Sequence, residues 1–100
     1  MDITPNHYDY EAITVNTATG FTAAKLAPQG LAGRMVEWAM LTVETDQIRY
    51  RIDGGVPSSS VGHLMNVGDP LVLVGVVAIQ NFQAIKVTNN ATIQVTYGWR

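Results

Sequence analysis

Short runs in which apolar and polar residues alternate constrain the fold of this chain more than any other feature. In residues 47–53, Ile48, Tyr50 and Ile52 fall on one face of an extended strand, and charged residues fall on the other. Val, Ile and Thr, whose branched side chains favour strands, supply 29 of the 100 residues. Gly and Pro separate the runs, which is the pattern of an all-β protein.

The remaining predicted strands have the same punctuation, and they lie at 11–16, 21–26, 34–44, 71–77, 79–87 and 92–97. We expect a short helix, if there is one, only within 22–31. We predict one domain over residues 1–100, an antiparallel β-sandwich of seven or eight strands with a jelly roll as one arrangement. Residues 1–9 are either an arm that orders on assembly or a frayed terminus.

One predicted hairpin joins residues 34–44 to residues 47–53. Facing apolar residues must lie on the same side of a hairpin, so parity limits the register. A loop at Asp46-Gln47 sets Val43 opposite Tyr50, and a loop one residue earlier sets it opposite Ile48. The first register is preferred because it also sets Glu44 against Arg49.

A second hairpin is predicted near the C-terminus. A three-residue loop at 89–91 sets Val87 opposite Ile93, and Asn tolerates the positive φ that such a loop needs. Residues 71–77 are apolar on both faces, which predicts a central strand buried on both sides. Residues 54–66 are predicted to form the main loop.

Composition excludes several classes of protein. The net charge of −2 argues against a nucleic-acid-binding protein, and the chain has no cysteine for a disulfide or a thiolate metal site. No apolar run approaches the roughly 20 residues of a membrane helix, and no signal-peptide pattern is present. Charged residues make up only 14%, against an average of about 25%, so we expect part of the surface to be covered by partners.

No pattern of residues predicts catalysis, and we expect no enzyme activity and no cofactor. Ser58–Ser60, His63 and Asp69 include the residue types of a hydrolytic triad, but their spacing favours a Ser-rich turn. His7, His63 and the nearby aspartates lack the spacing of a metal motif. Asp53-Gly54-Gly55 is too short to cradle a phosphate.

Trp38 and Met40 share a predicted strand face with Arg49 and Arg51 of the neighbouring strand. Aromatic and basic residues are combined in this way on single-stranded nucleic-acid-binding surfaces. The acidic Glu44 and Asp53 offset the charge, so we expect no nucleic acid as a partner.

Residues from about Ala39 to Tyr97 resemble short proteins encoded among the structural genes of tailed phages. The resemblance rests on Glu44-Thr45, Ile48-Arg49-Tyr50-Arg51-Ile52-Asp53-Gly54, Pro57-Ser58, Gly62-His63, Gly68-Asp69, Phe82 and Ile93-Gln94-Val95-Thr96-Tyr97. Such proteins include head decoration, or cement, proteins, which bind the outer capsid surface, often as trimers, and reinforce contacts between major capsid subunits.

The resemblance implies a structural virion protein on the outer capsid surface, a homotrimer whose partner is the major capsid protein, with no membrane partner. It implies no catalytic residues. The candidate interface residues are Tyr8, Tyr10, Trp38, Met40, Pro57, His63 and Trp99. A head–tail or tail component of the same virion is one alternative. A carbohydrate-binding module, which would need several exposed aromatic residues on one face, is another.

Overall fold

The computed structural model describes residues 7–26 and 36–99, and it confirms the predicted antiparallel all-β sandwich. Two sheets, of four and three strands, share one core. Within the described residues, the strands are β1 (His7–Val15), β2 (Trp38–Glu44), β3 (Ile48–Arg51), β4 (His63–Met65), β5 (Pro70–Val74), β6 (Gln83–Lys86) and β7 (Ala91–Trp99), and the helices are α1 (Ala23–Leu26) and α2 (Val76–Asn81).

The four-stranded sheet has the order β1-β7-β2-β5, and the three-stranded sheet has the order β4-β3-β6. β1 and β7 pair over nine residues, from His7 opposite Trp99 to Val15 opposite Ala91. Residues 7–9, expected as part of an N-terminal arm, therefore belong to this pair of strands. The rest of the predicted arm lies outside the described residues.

The core is built from the inward faces that alternation predicts. In β2, Ala39, Leu41 and Val43 are buried, as the sequence indicates. A chain of rings joins the two sheets: Tyr50 of β3 stacks on Phe82, Phe82 on Phe21, and Phe21 meets the edge of Tyr97 in β7. Each fully buried ring contributes roughly 1.5–3 kcal/mol, so these contacts fasten one sheet to the other.

The predicted hairpin between residues 34–44 and 47–53 is wrong. β2 and β3 lie in different sheets, and Val43 faces Ile93 of β7 rather than Tyr50 or Ile48. Between them Thr45 adopts φ 79, a left-handed conformation that a β-branched residue rarely takes, and the chain passes from one sheet to the other. The expected Glu44–Arg49 pair is consequently absent from the strand register.

The predicted C-terminal hairpin is also wrong. β6 pairs with β3, and β7 lies between β1 and β2, so Val87 does not face Ile93. Parity is satisfied equally by any apolar partner strand. The sequence pattern therefore specifies which residues point inward without specifying the neighbour.

Three further segments differ from expectation. Residues 71–77 were expected as a central strand, but β5 is at the edge of its sheet, and Val76–Asn81 form α2 where a strand was predicted. Residues 21–26 hold α1 instead of a strand, inside the stretch where a short helix was allowed. β4 forms inside the predicted loop and pairs with β3.

Candidate functional site

The outward side of the four-stranded sheet, called here the outer face, carries two parallel rows of apolar side chains. The strand registers define the rows as Tyr8–Gly98–Trp38–Val74 and Tyr10–Thr96–Met40–Val72. Tyr8 is 60% exposed, Val72 59% and Val74 74%, and Tyr10 and Met40 are exposed as well. Neighbouring strands are about 4.8 Å apart, so the rows form one mostly apolar surface, in which Thr96 supplies a hydroxyl group between Tyr10 and Met40.

Trp38 lies flat on the outer face because its cross-strand partner is a glycine. A Cβ atom at Gly98 would overlap three atoms of the indole ring, so the ring occupies the place of the missing side chain. Tyr8 packs edge-on against the Trp38 ring, with the two ring centroids 5.9 Å apart and an interplanar angle of 68°. Trp38 is thereby held in one orientation, half-buried at the centre of the first row.

A polar band borders the apolar rows. The Tyr10 hydroxyl donates a hydrogen bond to Oε1 of Gln94, and Nε2 of Gln94 donates to Glu44 at 2.8 Å. These three side chains satisfy one another across β1, β7 and β2. Among the outward-pointing residues of the four described strands, Glu44 alone carries a formal charge.

A loop over residues 52–62, called here the 52–62 loop, is attached to β3 of the three-stranded sheet. Arg49 of β3 donates hydrogen bonds from Nε to the carbonyl of Ser59 at 3.0 Å and from Nη1 to that of Gly62 at 2.9 Å. The backbone of Ser58 and Val61 closes the turn between these points with two hydrogen bonds. The loop is fixed on the outward side of the three-stranded sheet, and Val56 and Val61 point into solvent.

Asp53 organises the start of the 52–62 loop. Its carboxylate accepts hydrogen bonds from Arg51, at 3.0 and 2.6 Å, and from the backbone N–H of Gly55. The Arg51 guanidinium, followed by the Gly55 N–H, lowers the pKa of Asp53 from 3.8 to about 2. Both aspartate oxygens are used in holding the loop, so Asp53 is a structural residue here.

A second polar cluster joins β1 to α1 and β7. Glu11 accepts hydrogen bonds from the Tyr97 hydroxyl and from the Thr22 hydroxyl, and Asp9 pairs with Lys25 at 3.1 Å. Burial, reinforced by the Glu11 carboxylate, raises the pKa of Tyr97. The backbone N–H of Tyr10, followed by Lys25, lowers the pKa of Asp9. These groups satisfy one another and fasten α1 to the sheet.

The structure brings together four of the seven predicted interface residues: Tyr8, Tyr10, Trp38 and Met40 all lie on the outer face. The other three lie elsewhere. Pro57 is buried, so a partner cannot contact it unless the 52–62 loop moves. His63 is exposed in β4 beside the ring of Tyr50 at 5.3 Å, and Trp99 is described only through its backbone pairing with His7.

The residues considered for catalysis or metal binding do not form one site. Asp69 accepts a hydrogen bond from the Asn66 N–H and closes the turn before β5, while Ser58 belongs to the turn of the 52–62 loop. In the described part of the chain, no three His, Asp or Glu side chains are grouped so that they could hold a metal ion.

The sequence pattern missed Val72 and Val74 as surface residues. An apolar residue at an outward position looks the same in sequence as one buried under a second layer. Pro70 was the available signal, because proline cannot donate a hydrogen bond to a neighbouring strand and is confined to edge strands and strand starts.

No family model, curated protein or solved structure matches the chain. Neither helix in residues 7–26 and 36–99 has the length and apolar character needed to cross a membrane. The geometry of the site is therefore the basis on which a function can be argued.

Proposed function

We propose that the chain is a structural virion protein of the head decoration type, which binds the outer surface of a phage head as an oligomer and reinforces contacts between major capsid subunits. The observation that carries the proposal is the outer face, an exposed, apolar and almost uncharged surface on a rigid β scaffold. Contiguous apolar surface of this kind is typical of protein–protein contact. The likeness of residues 39–97 to short phage structural proteins adds to it.

The 52–62 loop supplies a second contact surface for such a protein. Its backbone is held in place by Arg49 and Asp53, so little conformational entropy is lost when its apolar tips, Val56 and Val61, are buried. An oligomer that presents several copies of this loop would bind a capsid with high avidity even when each contact is weak. We assign the loop to the capsid contact.

Co-sedimentation with heads tests this function. Heads assembled from the major capsid protein of the same gene block are mixed with the purified chain and centrifuged through a density gradient. We expect the chain to sediment with the heads at a saturating, fixed ratio, and the Val56→Asp and Val61→Asp variants to lose this binding. Val67→Asp, an equally exposed position in the turn before β5, is the matched control. Absence of the wild-type chain from the head fraction contradicts the proposal.

One observation favours a second candidate, a carbohydrate-binding module. Tyr8, Tyr10 and Trp38 lie on one face, and aromatic rings on a flat sheet can stack against sugar rings. Binding to a glycan array that is lost in Tyr8→Ala and Tyr10→Ala would support this function. If the chain bound no glycan on the array but did bind heads, the head decoration function would be supported.

A further inference from the structure

We infer that a second copy of this chain covers the outer face, so that the four-stranded sheets of two copies pack against each other. The inference deepens the proposed function, since it rests on the chain being a structural subunit and names the partner of this surface. The capsid contact assigned to the 52–62 loop lies at a different part of the molecule.

Charge is the first argument for a second copy. Glu44 is the one charged residue that points outward from the four strands, and its carboxylate is already hydrogen-bonded by Gln94. Two such faces can meet without placing like charges opposite one another. A strongly charged partner, such as a nucleic acid or an acidic peptide, would find no countercharge here.

The type of apolar side chain is the second argument. Met40, Val72 and Val74 are aliphatic and exposed, and they offer nothing to the hydroxyl groups of a sugar. The polar atoms of Tyr10 and Gln94 already serve each other in the band beside the rows. The face is therefore suited to apolar packing between proteins more than to a hydroxyl-rich ligand.

Area is the third argument. The outer face has four rows of outward residues: the two apolar rows, Ala12–Gln94–Thr42–Pro70, and Thr14–Thr92–Glu44. With strands about 4.8 Å apart and rows about 6.7 Å apart, they span a plane of roughly 500 Å², of which the apolar rows make up about half. Two copies would bury roughly 1,000 Å² in total, without counting the extra surface of protruding side chains, and this reaches the lower limit for a specific interface. Sheets packed in this way lie about 10 Å apart, with their side chains interdigitated.

The edge of the sheet agrees with a covered face. β5 is a short edge strand that is protected by Pro70 at its start but carries no charged residue, although lysine or another charge is common on exposed edges. Val74 and Val72 are the β5 members of the two rows. A second copy lying over the outer face would also shield these residues.

Sedimentation velocity over a wide concentration range tests the inference. We expect the wild-type chain to form a dimer, because the same face of two copies is paired, and we expect Val72→Lys and Met40→Lys, made separately, to raise its dissociation constant at least about tenfold. Val72→Thr keeps the shape of the side chain and should weaken association less. Val61→Lys, in the 52–62 loop, is the matched control and should associate like wild type.

Circular dichroism and a thermal melt of each variant show whether it remains folded, and Val72→Thr keeps the test valid if the lysine variants unfold. A wild-type chain that stays monomeric at every concentration overturns the inference, and so does an oligomer that all three outer-face variants leave unchanged. Binding of a glycan to the monomer through the outer face would overturn it in favour of a sugar. Failure of the wild-type chain to bind heads would count against the proposed function alone, because self-association through the outer face is measured without heads.

Discussion

The two sheets treat their outward sides differently. On the three-stranded sheet, Arg49 and Arg51 point outward, and their guanidinium groups hold the 52–62 loop through Ser59, Gly62 and Asp53. The outer face of the four-stranded sheet has aromatic and aliphatic side chains in these positions, and they remain exposed. A loop needs hydrogen-bond donors to hold its carbonyl groups, and the outer face offers few. Among the described residues, the three-stranded sheet is therefore covered by a loop of the chain itself, and the outer face is left exposed.

Both surfaces depend on the rings that join the sheets, so the largest effect is expected from Phe82. Its ring lies 4.4 Å from that of Phe21, and it is buried. Phe82→Ala should lower the free energy of unfolding by about 3–5 kcal/mol in urea denaturation, with both sheets lost in one transition. Val77→Ala, at an exposed position in α2, should change it by less than about 0.5 kcal/mol. Loss of the three-stranded sheet alone would show that the two sheets are separately stable.

A substitution at Gly98 tests how the Trp38 ring is held on the outer face. In Gly98→Ala the added methyl group would overlap the Trp38 ring, and the ring must move off the sheet. We expect a loss of about 1–3 kcal/mol in unfolding free energy and a change in the near-UV circular dichroism of tryptophan. Thr96→Ala, on the same strand and face, is the control. Equal behaviour of the two variants would mean that the indole does not lie on Gly98.

The attachment of the 52–62 loop to the three-stranded sheet is tested by Arg49→Met, which keeps much of the length of the side chain and removes its hydrogen-bond donors. Two hydrogen bonds to backbone carbonyls are lost, and the unfolding free energy should fall by about 1–2 kcal/mol. Hydrogen exchange at the amides of Ser58 and Val61 should accelerate while that of β7 is unchanged. Arg49→Lys should not restore protection, because one ammonium lacks the fork that reaches both carbonyls. Full protection in Arg49→Met would show that the loop is held by other contacts.

The smallest effect concerns acid. The folded-state pKa of Asp53, about 2, lies below its ordinary value of 3.8. Its contribution to stability is therefore complete above about pH 4 and is lost as the pH falls through about 2. In Arg51→Gln an NMR titration should find the pKa of Asp53 raised toward 3.8. The pKa of Asp46, lowered by the Gln47 N–H and then by Asn89, should stay where it is. If the pKa of Asp53 were unchanged in Arg51→Gln, the Gly55 N–H rather than Arg51 would be the cause of the lowered pKa.

Alternation in the sequence predicted most of the strands and their inward residues, as Leu41 in β2 and Ile48 in β3 show. It also predicted strands where α1 and α2 lie, and it missed β4. It could not predict strand pairing, because Val43 is equally well buried opposite Ile93 as opposite Tyr50. The positive φ of Thr45, which accompanies the passage between sheets, has no signal in a threonine. The start of α2 at Val76-Val77 has no signal in the sequence either, because β-branched residues favour strands.

The candidate site could be predicted only in part, because the sequence pattern does not specify which strands are neighbours. The sequence predicts Tyr8, Tyr10, Trp38 and Met40 as contact residues. It cannot show that β1 and β2 lie on either side of β7, which places these residues on one face. Val72 and Val74 were assigned to the interior, because apolar residues at uncovered positions are indistinguishable in sequence from buried ones. An exposed face made of core-type residues becomes visible only in three dimensions.

Hydroxyl-radical footprinting of Met40 tests the central claim most directly. Met40 lies in the second row of the outer face, 43% exposed, and Met65 in the core, 4% exposed, provides an internal reference for a protected methionine. If a second copy covers the outer face, oxidation of Met40 should fall severalfold as the protein concentration rises through the association range, while Met65 stays unreactive and Val61 in the 52–62 loop stays reactive. Oxidation of Met40 that is independent of concentration would contradict the account.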